Sequence, residues 1–416
     1  MAAPATEHVR NIALVGQDGA GKTSLAEAML HVSGKTPRMG TTHDGKSYLD
    51  YDEEEIRRHF TLGTSIAPIP YKDYKINLLD TSGQPDFLGD TLATMQAAEM
   101  AMFVVDAVDG PQVMTTRLWH EAETMRLCRC VFINHIDREH ANFDVAMATL
   151  HARFGSRLGA VTIPIGVDKD FKGVIDVLRM KARYFEGEDE RVAEIPEEYL
   201  DIAQVARDKL CDLVAEADED LMMKYLDGEE QLTQEELEQL LDKAIAQEIF
   251  IPVFVGSTII KQGIKGLMED IASYFPHPRA HGPFYLSNGD ELYVDETGEP
   301  AGFVFKTLSD PYVGRMSFIK VLSGYLEPGM ELSNARSKKK ERLSHLYVMM
   351  GKEPMDVKSA KAGDIIVVPK MNETKTGDTL SLSGDIEVDP LPSPVPLYPI
   401  ALEAENKKDE DKLGTF

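Results

Sequence analysis

A glycine-rich loop lies between an apolar run and a helical segment near the start of the chain. The stretch NIALVGQDGAGKTS spans residues 11–24, and Gly16 to Thr23 match the pattern G-x-x-x-x-G-K-[ST]. Glycines let main-chain N–H groups turn inward around phosphates, and the helix that follows directs the positive end of its dipole at them. This order constrains the chain to a strand, a loop and a helix that together hold a phosphate chain.

Two side chains of the loop have expected roles. Lys22 supplies positive charge to the β- and γ-phosphates, and Thr23 supplies a hydroxyl to Mg²⁺. The alternative is an ordinary glycine turn with a chance lysine, which the flanking strand and helix disfavour. The loop does not identify the base of the nucleotide. The residues expected at the phosphates are Gly16, Gln17, Asp18, Gly19, Ala20, Gly21, Lys22, Thr23 and Ser24.

Short apolar runs alternate with helical segments over the first part of the chain. They are NIALVG, YKINLLD, AMFVVDAVDG, CVFINHID and, much later, IPVFVG. Buried strands that alternate with helices predict a largely parallel sheet with crossover connections. The segment at about 167–246 is acidic and helical, and Thr233 and Glu236 form a capping-box pattern in it. Because IPVFVG follows, we expect this segment to be an insertion within a domain that spans 1–280.

The pattern of apolar and polar residues changes after the proline-rich stretch YFPHPRAHGPF. Short alternating runs such as AGFVFKT, GRMSFIKVLSG and AGDIIVVP are separated by glycine turns, which predicts a β-barrel over 281–389. Residues 390–416 begin as a linker and continue with one predicted strand, YPIALEA. The sequence ends inside a predicted helix that follows this strand. We expect this piece to be the start of a truncated third domain.

Composition restricts the classes of protein that fit. The chain has 416 residues and a net charge of −26, and it contains no apolar run of the length that a membrane span needs. We therefore expect no membrane association and a cytoplasmic location. The acidic charge argues against a general nucleic-acid coat. A local basic cluster is either a solvated loop or a contact to RNA phosphates, and it contains Arg336, Lys338, Lys339, Lys340 and Arg342.

A second motif, LLDTSGQPDF, ends the next apolar run. Asp80 at the end of a core strand can reach Mg²⁺ through water, and Gly83 can offer its N–H to the γ-phosphate. Gln84 then stands where a residue would orient the attacking water. Alone, the segment DTSG is an ordinary turn. One strand after a phosphate loop, it favours a catalytic role.

A third motif identifies the base. In NHID, Asp137 can accept hydrogen bonds from guanine N1 and N2, which adenine cannot offer, while Asn134 braces the surrounding loops and His135 lies between them. In VGST, the main chain of Gly256, Ser257 and Thr258 can meet guanine O6. A polar strand end is the alternative for the first pair. All motifs in this order predict a GTP site, and a kinase with the same loop would instead prefer ATP.

These segments together resemble the elongation factor G family of translational GTPases, across essentially the whole chain. HDGKSYLDYDEEEIRRHFT is similar to its first switch, PIGVDKDFKGVIDVLRMKA to its inserted subdomain and GFVFKTLSDPYVGRMSFIKVLSG to its second-domain barrel. The resemblance implies an α/β P-loop GTPase domain with a helical insertion, followed by a β-barrel domain. It also implies GTP and GDP as ligands, Thr61 on Mg²⁺ and the γ-phosphate, and the ribosome as the partner of a monomeric factor.

The sequence departs from the family pattern at several positions of the nucleotide site. The family usually has histidine and aspartate where this chain has Gln17 and Gly19, and proline and histidine where it has Ser82 and Gln84. His135 replaces the usual lysine, whose aliphatic stem covers the purine face, so we expect weaker nucleotide affinity. These departures favour a divergent paralogue over the housekeeping factor.

The expected function is GTP-dependent action on the ribosome, with translocation as in elongation factor G or a related step. Hydrolysis would use Lys22 on the phosphates, Thr61 on the metal and Gln84 on water. The alternative is a GTP-sensing protein that occupies the ribosome with little turnover. Gln84 and His135 are the residues that leave this alternative open.

Overall fold

The computed structural model describes residues 3–186, 189–227, 232–310, 314–389, 394–395, 398–407 and 409–410. The helices are α1 (Lys22–Val32), α2 (Glu53–Arg58), α3 (Leu88–Gln96), α4 (Val113–Thr124), α5 (Phe143–Phe154), α6 (Leu200–Ala215), α7 (Glu219–Asp227), α8 (Gln234–Ala246) and α9 (Ile264–Tyr274). In the described ranges, no helix is long and apolar enough to span a membrane.

The strands fall into an earlier and a later group. The earlier strands are β1 (Val9–Val15), β2 (Ser65–Tyr71), β3 (Tyr74–Asp80), β4 (Met100–Asp106), β5 (Cys128–Asn134), β6 (Leu158–Ala160), β7 (Thr162–Ile165), β8 (Gly173–Asp176), β9 (Lys181–Glu186), β10 (Asp189–Ala193) and β11 (Ile251–Val255). The later strands are β12 (Phe284–Tyr285), β13 (Glu291–Leu292), β14 (Ala301–Asp310), β15 (Gly314–Ser323), β16 (Tyr325–Leu326), β17 (Glu331–Asn334), β18 (Lys340–Arg342), β19 (Tyr347–Met350), β20 (Glu353–Asp356), β21 (Ala360–Lys361), β22 (Ile365–Pro369) and β23 (Thr379–Ser381).

The first sheet is the platform of the α/β domain. Its strand order over the described residues is β2-β3-β1-β4-β5-β11-β6, and all neighbours are parallel except β2 and β3. Ile12 and Leu14 of β1 belong to the apolar core on one face of the sheet, while Ala13 and Val15 belong to the core on the other. Burial on both faces explains why this strand is apolar throughout rather than alternating. The predicted parallel sheet is confirmed.

The region predicted to be a helical insertion, together with the strand before it, contains a sheet as well as helices. Strands β10-β9-β8-β7 form an antiparallel sheet before α6, α7 and α8 begin. The sequence pattern predicted only helices here, because charged side chains interrupt the apolar pattern of these strands. Arg183 of β9, for example, is buried and forms an ion pair with Asp176 of β8 at 3.1 Å. The capping box of Thr233 and Glu236 at the start of α8 is present as predicted.

The second part of the chain is an antiparallel β-domain. Its strand order over the described residues is β18-β17-β23-β14-β15-β22-β19-β20, with β16 and β21 forming a separate ribbon. Side chains from strands at different places in this order, including Leu332 of β17 and Ile366 of β22, share one buried core. A sheet whose strands meet around a common core must curl, as expected for a barrel.

The two parts of the chain share a large interface. Phe303 and Phe318 of the β-domain belong to the same buried cluster as Leu79 and Leu92 of the α/β domain. At the end of β19, the Gly351 amide donates to the Ile66 carbonyl at 2.9 Å. A Cβ placed on Gly351 would lie 1.9 Å from the Tyr48 carbonyl oxygen, so glycine alone fits this approach.

The predicted strand YPIALEA does not form. The described residues of this segment, 398–404, carry no strand, and Tyr398, Ile400 and Leu402 are each more than 70% exposed. A strand needs a neighbour to satisfy its main-chain groups, and no strand pairs with this segment in the part of the chain that the structure describes. The rest of the predicted linker and helix, at 390–393, 396–397, 408 and 411–416, lies outside the described residues.

Candidate nucleotide site

The three sequence motifs meet at one edge of the first sheet. Because β1, β3, β4, β5 and β11 run parallel, their carboxyl ends lie side by side, and the loops that follow them face the same space. Gly16 to Gly21 form the loop between β1 and α1. The structure therefore brings together the residues that the sequence places at phosphates, metal and base.

Two glycines of the loop are required by close approaches. Gly16 has a φ of 136°, and a Cβ there would lie 2.5 Å from the Val104 carbonyl oxygen. Gly21 has a φ of 93°, and a Cβ there would lie 2.3 Å from Asn134 Nδ2. Gly19 also has a positive φ, 80°, but faces open space. The loop is thus wedged between β4 and the end of β5.

Lys22 folds its ammonium group back over this loop. Its Nζ donates to the carbonyl of Gly16 at 3.2 Å and to that of Gln17 at 3.0 Å. Burial lowers the pKa of Lys22, although the nearby carboxylates of Asp80 and Asp18 oppose this shift. A buried cation whose hydrogen bonds go to carbonyls is well suited to gain an anionic partner.

The other loop residues have structural partners. Gln17 accepts from the Met114 amide at 3.1 Å through its side-chain oxygen, which ties the loop to the start of α4. Asn134 Nδ2 donates to the Ala20 carbonyl at 3.0 Å. Ser24 is half-buried in the first turn of α1, directly after Thr23.

A buried carboxylate lies beside the loop. Asp80 at the end of β3 is fully buried, and neither of its oxygens has a hydrogen-bond partner among the described residues. Burial, followed by the charge of Asp50, raises the pKa of Asp80 well above its usual value. The hydroxyls of Thr23 and Thr61 lie 3.0 Å apart nearby, on α1 and after α2. A hard oxygen-ligated cation would satisfy this set, and the residues therefore fit Mg²⁺.

Asp50 belongs to the same cluster and was not predicted. It is buried, its Oδ1 accepts from the Thr61 hydroxyl at 2.8 Å, and its Oδ2 has no partner among the described residues. Burial and the charge of Glu55 raise its pKa to about 7. In the sequence, Asp50 is one of several acids in LDYDEEE, and nothing local distinguishes it from the others. Groups of three or more His, Cys, Asp or Glu able to hold a metal by themselves do not occur in the described residues.

The loop DTSGQ packs directly on the phosphate loop. A Cβ on Gly83 would lie 2.4 Å from the Asp18 amide nitrogen and 2.5 Å from Lys22 Nζ. The Ser82 hydroxyl donates to the Thr61 carbonyl at 2.7 Å. The Gln84 side chain donates from Nε2 to Asp18 Oδ2 at 2.8 Å. The predicted water-orienting amide is therefore bound to a carboxylate of the phosphate loop.

The guanine end of the site is built on Asn134. Besides its bond to the phosphate loop, its Oδ1 accepts from the Thr258 amide at 3.1 Å, so it links the loops after β1, β5 and β11. Asp137 has a buried Oδ1 without a partner among the described residues. The Gly256 and Ser257 amides are already used by Ile133 and Gln262, at 3.0 Å and 3.1 Å. His135 is buried and bonds to Asp106, a contact that the sequence did not reveal.

The predicted basic cluster is partly neutralised. Arg336 bonds to Asp378 at 2.6 Å, and Lys339 to Glu373 at 2.8 Å. These pairs support the interpretation as a solvated loop over a contact to RNA.

Comparisons with known proteins agree with this geometry. The model of the elongation factor Tu GTP binding domain matches residues 7–277, and that of elongation factor G domain 2 matches residues 299–383. A crystal structure of a protein from Thermus thermophilus is similar over 98% of this chain, with 32% identity and a TM-score of 0.87. The chain spans 60% of the length of that protein. The chain belongs to the translational GTPases of the elongation factor G type.

Proposed function

We propose that this protein binds GTP with Mg²⁺ and hydrolyses it as a translation factor on the ribosome, in a step like the translocation driven by elongation factor G. The observation that carries the proposal is the buried Asp80 beside Lys22 and Thr23, whose oxygens have no hydrogen-bond partner among the described residues. A buried carboxyl group whose oxygens lack hydrogen bonds is costly unless a ligand completes it. A triphosphate with its metal would give the Asp80 oxygens a cation and the Lys22 ammonium group an anion.

Each part of the site has a distinct task in this proposal. The phosphate loop and Lys22 hold the β- and γ-phosphates, and Thr23, Thr61 and Asp80 hold the metal, directly or through water. When bound, Mg²⁺ neutralises charge on the β- and γ-phosphates. Asp137 accepts from the guanine edge, and Asn134 keeps the three loops in register. Gln84 orients the water once its amide is free to turn toward the γ-phosphate.

A second candidate function is GTP sensing with little turnover. The observation that favours it is the hydrogen bond from Gln84 to Asp18, because a carboxylate competes with water and phosphate for the amide. A turn of Gln84 toward the γ-phosphate requires the loss of this bond, which would slow the hydrolytic step. Ribosome occupation would then depend on the bound nucleotide and not on hydrolysis.

Single-turnover phosphate release distinguishes the two functions. The protein is loaded with γ-labelled GTP, and release is followed with and without ribosomes, beside Asp80→Asn as a variant that lacks the metal ligand. We expect ribosomes to accelerate release in the wild type and not in the variant. Tight GTP binding with no acceleration would favour sensing. Equal affinity for ATP and GTP would overturn both candidates.

The finer assignments follow from the same proposal. A ribosome-bound factor works in the cytoplasm, with ribosomal RNA and proteins as its partners, and we propose that it acts as a monomer. We also propose that 1–280 form the GTPase domain with its insertion at about 167–246 and that 281–389 form the second domain.

A further inference from the structure

His135 spans the gap between β4 and the phosphate loop. Its ring is 5% exposed, and its Nδ1 lies 2.7 Å from Asp106 Oδ2. On the opposite side, a Cβ placed on Gly21 would lie 3.3 Å from its Nε2. The main chain of His135 has a φ of 63°, in the left-handed region that few residues other than glycine adopt.

Asp106 is itself held firmly. Its Oδ1 accepts from the amides of Val108 at 2.8 Å and Asp109 at 3.3 Å, and its Oδ2 accepts from His135 and from Arg138 at 2.8 Å. Burial alone would raise the pKa of Asp106, but these hydrogen bonds, led by the one from His135, outweigh burial and lower it. The group is therefore a carboxylate at neutral pH. A carboxylate only accepts, so it assigns the proton of the imidazole to Nδ1.

The sheet register places this pair at the nucleoside. Asp106 and Asn134 are opposite each other at the ends of β4 and β5, and His135 follows immediately. In the proposed function, the phosphates bind at Gly21 and Lys22, and the base binds at Asp137. The sugar and purine must pass between these points, along the side where the His135 ring lies.

We propose that Asp106 is a positioning residue for guanine-nucleotide binding, which holds the His135 imidazole as a wall of the nucleoside pocket. This inference rests on the proposed function and deepens it. The imidazole of His135 occupies the position where the family has a lysine. Its orientation is set by the hydrogen bond to Asp106. Asp106 touches the nucleotide only through His135.

Asp106→Asn is the sharpest substitution. An asparagine keeps an acceptor for the Val108 and Asp109 amides, but it can present an N–H₂ group to His135 Nδ1. The imidazole must then lose the bond or move its proton to Nε2. Loss of a charged, buried hydrogen bond corresponds to roughly 10-fold weaker affinity or more, and we expect a change of this size in the dissociation constant of GDP.

The test is a double-mutant cycle on GDP affinity, measured by calorimetry for the wild type, Asp106→Asn, His135→Ala and the double variant. If Asp106 acts through His135, Asp106→Asn weakens binding in the wild-type background and has no further effect beside His135→Ala. The matched control is Asp109→Asn, an exposed neighbour that meets Asp106 through its main-chain nitrogen. We expect its affinity to match that of the wild type.

A second measurement uses the wild-type protein alone. Nitrogen-15 shifts of the His135 ring in the GDP complex report which nitrogen carries the proton, and we expect Nδ1. A proton on Nε2 alone overturns the proposal, as does unchanged affinity in Asp106→Asn or an equal loss in both backgrounds. If the wild type shows no preference for guanine nucleotides, the proposed function fails instead. The two failures are therefore distinguishable.

Discussion

The ammonium group of Lys320 lies 2.5 Å from Glu99 Oε1, and both side chains are almost completely buried where the β-domain meets the α/β domain. Asn11 donates to the other carboxylate oxygen at 2.7 Å and to the Gly363 carbonyl at 2.7 Å. Burial lowers the pKa of Lys320, against the attraction of Glu99. This buried ion pair between Lys320 and Glu99 thus fixes the relative position of the two domains.

Lys320→Met should be strongly destabilising, because it leaves Glu99 buried without its cation. Removal of one partner of a buried ion pair costs about 3–5 kcal/mol. Urea unfolding measures this loss. Lys339→Met removes the exposed pair with Glu373 and should cost less than about 1 kcal/mol. Similar losses in both variants would contradict the role assigned to the buried pair.

Base selectivity depends on Asp137. Asp137→Asn should weaken GTP binding and shift preference toward xanthosine triphosphate, whose O2 carbonyl suits an amide donor. Competition binding with both nucleotides measures the shift. Unchanged guanine selectivity would mean that the base lies elsewhere.

The segment of residues ~40–63 should respond to the nucleotide. Thr61 can reach Mg²⁺ and the γ-phosphate together only with GTP bound, so we expect greater hydrogen-exchange protection with a GTP analogue than with GDP. The buried Glu27 accepts from the Gly40 amide at 3.1 Å and the Tyr48 amide at 2.5 Å, which anchors that part of the segment. The difference should therefore concentrate around Thr61. Equal protection in both states would remove the switch assignment.

Gln84→Ala separates catalysis from binding. Loss of one water-orienting contact lowers turnover on the order of 10²-fold or more. We expect ribosome-stimulated hydrolysis to fall by this amount while GTP affinity is kept, in single-turnover assays of both proteins. Rates that match the wild type would show that Gln84 is not catalytic and would support the sensing function.

The nucleotide-free protein should be more stable in mild acid than at neutral pH. The pKa of Asp50 is about 7 in the folded protein, above its usual value, so the folded protein binds this proton more tightly than the unfolded chain does. The resulting stabilisation is complete at a pH below the pKa of Asp50 in the unfolded chain. This stabilisation is lost as pH rises toward 7, by up to about 2 kcal/mol. Thermal unfolding between pH 5 and 7.5 tests this, and Asp50→Asn should flatten the profile. A profile that Asp50→Asn leaves unchanged would assign the dependence to other groups.

Features that depend on local pattern and chain order could be predicted from the sequence, whereas contacts between distant residues could not. The phosphate loop, Asp80 and Asn134 follow strands of one parallel sheet, so chain order alone predicts that they converge. The bond from Gln84 to Asp18 joins residues 66 positions apart, and no local pattern announces it. The bond between Asp106 and His135 joins the ends of two strands and was missed for the same reason. Asp50 was missed because it is one of several acids in LDYDEEE, although its partner Thr61 lies in the same segment. The strand predicted at 398–404 failed because its pattern is apolar but no neighbouring strand among the described residues receives it.

The close approach of Gly351 to Tyr48 places the β-domain in contact with the segment that contains Thr61. Tyr48 precedes Thr61 in the same segment, and its carbonyl fills the space that a side chain at 351 would need. If hydrolysis also releases Tyr48 from Glu27, the tip beyond β19 loses this cover. The surface of the β-domain would then differ between the GTP and GDP states at a distance from the phosphates.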